Sequence, residues 1–409
     1  LVNSAVFSPD GKLALTASYD KTARIYEVST GKELQVLSGH KSLVNSAVFS
    51  PDGKQVILTA SWDSTARIYE VSTGKELQVL SAHTGSVNSA VFSSDGKLAL
   101  TASWDETARI YEVSTGKELQ VLRGHTSYGV KSAVFSPDGK LALTANYDKT
   151  ARIYEVSTGM ELQVLRGHTS YGVNSAVFSP DGKLALTASN DNTARIYEVS
   201  TGKELQVLRG HTPYGVNSAV FSPDGKQVVL TASWDSTARI YEVSTGKEIQ
   251  VLRGHTGSVN SAVFSPDGKQ VVLTASWDST ARIYEVSTGK ELILLTGHTL
   301  YSALFSADGK KVLTTGSDHK TILWDASTGK QIYTRLQLEN GEWLVYDEHY
   351  RYDGSQGARD YLYFVCGLEV VDLSKVKDAL YVPNLVQRIM NGENLDHLPK
   401  LKDLKICKN

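Results

Sequence analysis

One unit is spelled eight times along the 409 residues, and the histidines at 40, 83, 125, 168, 211, 255 and 298 mark its step of 42 to 44 residues. In its commonest form the unit runs GH, a short loop, VNSAVFSPDGK, an apolar stretch ending LTAS, an aromatic–Asp pair and TARIYEVSTGKELQVL. A chain of this length outgrows one ordinary hydrophobic core and must either divide into domains or stack repeats. A period of this size with several short strands per unit points to a propeller or solenoid.

Within the first unit, Val2 to Ser8 is a β-rich run closed by Pro9, Asp10, Gly11 and Lys12. Proline presets φ there and glycine takes φ > 0, which makes a hairpin turn. Leu13 to Ser18 is a second strand, ending at Tyr19 and Asp20; Thr22 to Val28 is a third. Ser29 to Lys32 turns the chain again, and Glu33 to Leu37 is the fourth. Four short antiparallel strands, apolar on both faces in the middle, cannot hide that surface alone and must be sandwiched between neighbours of their own kind. Radial stacking into a closed ring achieves this and leaves only short, protected edges.

The GH pair, the Asp between strands two and three and the aromatic–acid pair ending strand three closely resemble the WD40 repeat family over residues 1–336. The expected fold is therefore all-β: a WD40-type β-propeller of eight four-stranded blades, followed by a small α+β C-terminal extension over 337–409. The resemblance implies a hydrogen-bond network in each blade, joining the GH histidine, a Ser or Thr on strand two, the turn Asp and the strand-three aromatic. Its members here are His40, Ser61, Asp63 and Tyr69 in unit two, His125, Asp148 and Tyr154 in unit four, and Asp318 and Trp324 in unit eight. Tyrosine replaces the family's tryptophan at 26, 69, 111, 154, 197, 241 and 284; only Trp324, followed by Asp325, keeps the family spelling. Seven copies of one active site are implausible, so the seven histidines are read as structural, each satisfied by its neighbours. The recurrent Thr-Gly-Lys-Glu is a turn, since no Gly-Lys is followed by the Ser or Thr of a phosphate loop.

Differences between copies carry the functional signal. The residue before the turn Asp reads Tyr19, Trp62, Trp104, Tyr147, Asn190, Trp234, Trp277 and Ser317, and units four to six add Tyr128, Tyr171 and Tyr214 in a longer loop after the histidine. In a propeller both kinds of loop emerge on one face, whereas the Asp-Gly and Thr-Gly turns of the other face scarcely vary. Exposed indoles there have no folding benefit and are candidate binding hot spots. The alternative is that each ring lies flat against its neighbour blade as packing.

The net charge of −2 supplies no basic field, and the rim's scattered lysines form no stripe for nucleic acid. The only cysteines, Cys366 and Cys407, lie outside the repeats, which excludes a disulfide framework or a Cys-rich metal site and fits a reducing, cytoplasmic setting. No apolar run is long enough to cross a bilayer, and no cofactor motif is present. Leu1 stands inside a repeat, after the point where a GH pair would be, so upstream sequence is expected and the chain reads as part of a larger polypeptide. Ring closure is expected to rest on side-chain packing, with eight blades or seven plus one.

From Glu339 the period stops. Trp343 to Tyr346 and Tyr361 to Phe364 read as strands flanking Tyr352 to Ser355; a helix is expected to open at Val371 to Ser374, and another at Pro383, stopping near Gly392. The string from Gly341 through Asp353 to Leu385 resembles the segment that follows the propeller in bacterial proteins joining WD40 repeats to a caspase-like peptidase. That resemblance implies a downstream peptidase regulated by the propeller. His349 and Cys366 are the only tail pair that could be a base and nucleophile, and ordinary structural roles are expected for both. Lys400 to Lys408 reads as a solvated strand or linker edge. The first reading of function is a non-catalytic scaffold binding a protein or peptide through its aromatic rim; the alternative is the sensing arm of that peptidase.

Overall fold

The computed structural model describes residues 2–404 apart from 53–55, 171, 213, 225–226, 268–270, 298, 339–340, 361–362, 367–368 and 373–376; of 360, 363–366 and 369–372 it describes the backbone. Eight antiparallel sheets follow one another, each with its strands in chain order. Blade 1 consists of Val2–Phe7, Leu13–Ser18, Ala23–Glu27 and Glu33–Leu37. The first turn is fixed by its own side chains: Ser8 Oγ donates to Asp10 at 2.6 Å, the Lys12 N–H donates to the same carboxylate, and Gly11 has φ +69°. Strand two is buried along both faces from residue 14 onward, as a middle strand between two blades must be.

Core and blade interface are the same thing here. Leu15, Ala17, Ile25 and Leu37 of blade 1 pack on Val44, Ala47, Ile57 and Tyr69 of blade 2, and the equivalent residues repeat this at each later junction. Each such leucine, fully buried, stabilises the ring by about 1.5–3 kcal/mol. Outer strands add a polar tie: Gln35 Nε2 donates to the Ser72 carbonyl of the next blade at 2.9 Å, and five further glutamines repeat the bond.

The eighth blade meets the first, so all eight form one closed ring rather than seven plus one. Ala5, Ala14, Tyr26 and Val28 pack against Leu313, Leu323 and Tyr333. Among the described residues no strand is exchanged: the fourth strand of blade 8, Gln331–Gln337, comes from its own unit. Its Arg335 crosses the seam, donating to the Gly31 carbonyl at 2.8 Å and standing 3.5 Å from Glu33 and 4.4 Å from the Tyr26 ring centre.

The tail is joined to the ring rather than set apart from it. Trp343–Tyr346 pairs with the outer strand of blade 8, and Tyr352–Gly354 pairs with Trp343–Tyr346, so this sheet has six strands. Val345 and Val386 then close over Gly31 of blade 1. Tyr363–Cys366 and Glu369–Asp372 form a separate hairpin, so no helix opens at Val371 or Asp372; the next helix among the described residues is Lys377–Leu380, and Leu373 and Ser374 of the expected helix start lie outside the described residues. Val371 and Asp372 alternate into strand pairing, which overrides the local helix-start signal. The helix expected after Pro383 is present as Leu385–Met390, with Gly392 at φ +74° behind it. Leu401–Asp403 is a short 3₁₀ turn rather than a strand, its Leu401 N–H donating to the His349 carbonyl. His349 is held in a turn by Asp347, while the Cys366 side chain and all of Cys407 lie outside the described residues. No described helix is long and apolar enough to cross a membrane.

The blade network is built, with one change of member. His40 Nδ1 lies 2.8 Å from Asp63 and its Nε2 2.8 Å from Thr59 Oγ1. Ser61 instead accepts the Asp63 N–H and donates to the Ser42 carbonyl, tying the turn. Thr59 and Ser61 point the same way along the strand, but the imidazole reaches the deeper of the two. Blade 4 repeats the arrangement with His125, Asp148 and Thr144. The tyrosines reach past the threonine: Tyr69 donates to the Ser38 carbonyl and Tyr154 to that of Arg123. The Trp324 indole N–H stops at Thr314 Oγ1, 2.9 Å away. Asp318 accepts the Lys320 N–H, and His298 lies outside the described residues.

Burial alone would raise these carboxyls, yet the hydrogen bonds from Thr65, the Lys41 N–H and His40 outweigh it and hold Asp63 at about 2; Asp148 is likewise held at about 2. Asp105, Asp191, Asp235 and Asp278 shift the same way. An unfolded aspartate titrates near 3.9, so below about pH 4 the unfolded chain binds more protons, and stability falls by up to about 1.4 kcal/mol per pH unit for each aspartate. The stabilisation is complete above the unfolded value and is lost as pH drops through the folded ones. Urea titrations at a series of pH values should therefore give an acid limb steeper than one proton. A flat profile down to about pH 3 would contradict the network's role.

Candidate partner-binding face

Strand one of every blade starts, and strand two ends, on the same face of the ring. The backbone shows this directly: the Trp62 N–H donates to the Leu43 carbonyl, Trp104 to Ser86 and Trp277 to Ser258, each joining a two–three turn to a loop after the histidine position. Contact between neighbouring blades is as tight. A Cβ on Gly129 of blade 4, at φ +79°, would stand 2.5 Å from the Trp104 Cα of blade 3. The variable residues therefore share one rim.

Five of these aromatic residues are partly exposed. Tyr19, Trp62, Trp104, Trp234 and Trp277 are exposed by 38% at Trp234 to 61% at Trp277. Tyr147 is more enclosed, its ring 6.0 Å from that of Trp104. Asn190 and Ser317 interrupt the series, leaving one arc of four aromatics over blades 1–4 and one of two over blades 6 and 7. Tyr128 and Tyr214 stand out on their longer loops at 74% and 66% exposure, with Tyr128 in the left-handed region at φ 55°. Tyr171 lies outside the described residues.

A second layer was not foreseen from the repeats. A bulge after the first residue of strand one turns Asn3, Asn45, Asn88, Asn174, Asn217 and Asn260 toward their neighbours. Asn3 Nδ2 donates to the Asn45 side chain and carbonyl at 2.9 Å, Asn88 to the Val130 carbonyl at 2.8 Å and Asn174 to that of Val216 at 2.9 Å. Trp104 rests on this ring, its Nε1 donating to Asn88 Oδ1 at 2.5 Å. Blade 4 carries Lys131 at the asparagine position. Its Nζ donates to Asn174 Oδ1 at 2.6 Å and lies 4.8 Å from the Tyr147 ring centre. Burial pulls the Lys131 ammonium below the usual lysine value, and no carboxylate is within salt-bridge distance of it among the described residues. The signal in the sequence was the single VKSAVF among copies of VNSAVF. Among the described residues no three His, Cys, Asp or Glu side chains gather as a metal site would need.

Comparison with known proteins agrees with this architecture. The model of the WD domain, G-beta repeat, matches residues 2–27, 31–70, 74–112, 116–155, 159–198, 202–242, 246–285 and 289–325. No curated protein sequence matches the chain. Among solved structures, the fold is similar to the computationally designed Ika8 protein, with a TM-score of 0.70 and 24% identity over 79% of this chain and 96% of that one. Eight matched repeats cover nearly the whole ring, and the chain belongs to the WD40 repeat family.

Proposed function

We propose that this protein is a non-catalytic scaffold that holds a peptide or protein segment on its aromatic rim. WD40 propellers are generally protein-interaction scaffolds. The observation that carries the reading is the two arcs of half-exposed rings above an asparagine layer that includes one lysine, Lys131, with no ion pair among the described residues. The rings offer apolar area at low ordering cost because blades on both sides fix their backbone. The amides and Lys131 supply the polar contacts that set orientation.

Selection of a displayed random-peptide library on the immobilised protein tests this. The selected peptides should bind the variant Trp62→Ala, Trp104→Ala, Trp234→Ala, Trp277→Ala at least about 100-fold more weakly, as the loss of several 2 kcal/mol hot spots requires. The melting temperature should stay within a few degrees of the parent. Equal binding by the variant would remove the rim from the reading; a collapse in melting temperature would make the rings packing residues instead.

A further inference from the structure

The first strands of successive blades are neighbours around the axis of the ring, and their second residues make up the asparagine layer at the rim-side end. The neutral members of that layer are satisfied within it. Asn45 donates to the Asn88 carbonyl and Asn217 to that of Asn260, as Asn88 and Asn174 do to the next blade. Blade 4 alone places a cation in the layer, Lys131 on the strand Val130–Phe135.

An ammonium carries three donors and one full charge. Among the described residues Lys131 spends one donor, on the neutral Asn174 Oδ1 at 2.6 Å. Its other neighbour is the Tyr147 ring, 4.8 Å to the centre, and that ring lies 6.0 Å from the half-exposed indole of Trp104. Lys131 and Tyr147 are themselves part-buried, so the ammonium is enclosed yet open to the rim. Burial acts on it with no charged group beside it to offset the effect. An enclosed cation without a counter-charge costs stability, whereas asparagine fills the same position in the sister blades at no such cost.

We propose that Lys131 is the binding site for one carboxylate, the side chain of an aspartate or glutamate in a peptide segment lying on the rim, with the residues beside that acid resting on Tyr147 and Trp104. This builds on the scaffold function proposed above and gives the bound segment its charge. The N–H groups that Asn174 leaves unused donate to the carboxylate, and partial burial strengthens the pair over one formed in open water. Specificity follows from charge. A single cation matches a monoanion, while a phosphorylated side chain brings nearly two negative charges to it. A neutral amide accepts the same bond but leaves the ammonium without a counter-charge.

The probes are two pools of pentapeptide amides carrying a neutral fluorophore, random in uncharged residues except for a central glutamate in one and a central glutamine in the other. Each is titrated with the full chain and read by fluorescence anisotropy. The glutamate pool should bind about tenfold or more tightly than the glutamine pool, since only it forms a charge-assisted bond. In Lys131→Asn, which installs the residue of the sister blades and so keeps the fold, the two pools should agree within about twofold. Raising the salt should shrink the preference in the parent protein alone. A third pool, with central glutamine and a free C-terminal carboxylate, should match its amide; tighter binding would assign Lys131 to a chain end and overturn the side-chain proposal. Pools that bind the parent equally would overturn the carboxylate site while leaving the aromatic rim as a docking face. Absence of binding by either pool up to about 1 mM would remove both.

Discussion

Replacing Arg335 by alanine is expected to destabilise the ring by about 3–5 kcal/mol, the usual cost of removing one partner from a buried ion-paired network. The position is leucine in the other seven blades, from Leu37 to Leu295, each opposite a small residue on strand three. Blade 8 alone puts a guanidinium there, 3% exposed. It joins three parts of the molecule: Gly31 and Glu33 of blade 1, Gln337 of its own strand, and the ring of Trp343, 5.3 Å away in the tail. Alanine would leave the Gly31 carbonyl without this donor and open a gap between the Tyr26 and Trp343 rings. Leucine, which fills the same place elsewhere in the ring, should cost less, about 1–2 kcal/mol, because only the polar bonds go. Denaturant titration gives the two values. Hydrogen exchange should show Val2–Phe7 and Gln331–Gln337 opening first while blades 4 and 5, across the ring, keep their protection. A loss under about 1 kcal/mol for alanine, or uniform loosening, would mean that apolar packing alone closes the seam.

The eight blades were legible because every determinant of a blade is local and repeated. Turns such as Ser8 to Lys12 carry their own hydrogen bonds, and strand two is apolar in each copy. The rim was legible for the same reason: against a constant background, Trp62 or Trp277 stands out by substitution alone. What escaped was whatever depends on convergence across blades. The asparagine layer comes from residues about 43 positions apart that meet only once the ring closes, and the enclosure of Lys131 depends on Asn174 and Tyr147, which reach it only then. The choice of Thr59 over Ser61 by His40 turns on depth along a strand, which period-two alternation leaves open. Pairing of Trp343–Tyr346 onto blade 8 lies beyond the repeat, where no periodicity names a partner strand.

Asp191→Ala is expected to cost about 3–5 kcal/mol, nearly as much as the seam change, because one carboxylate answers several donors at once. His168 Nδ1, the Thr169 and Thr193 N–H groups and the Thr193 hydroxyl all converge on it within 3.0 Å, and Arg195 stands 3.7 Å away. The side chain is 3% exposed, so water does not simply replace it. Asparagine keeps one acceptor oxygen and should lose only about 1–2 kcal/mol. Either change removes one low-titrating group, so the acid limb should become shallower by one proton in the alanine and asparagine variants alike. The ring also fixes how such losses combine. Asp63 and Asp235 belong to blades that share no junction, so Asp63→Asn and Asp235→Asn together should sum to within about 0.5 kcal/mol, as distant independent sites do. Two neighbouring blades press on one interface, and Asp148→Asn with Asp191→Asn should depart from the sum. Equal additivity for both pairs would show that each network steadies only its own blade, leaving apolar packing as the sole coupling between repeats.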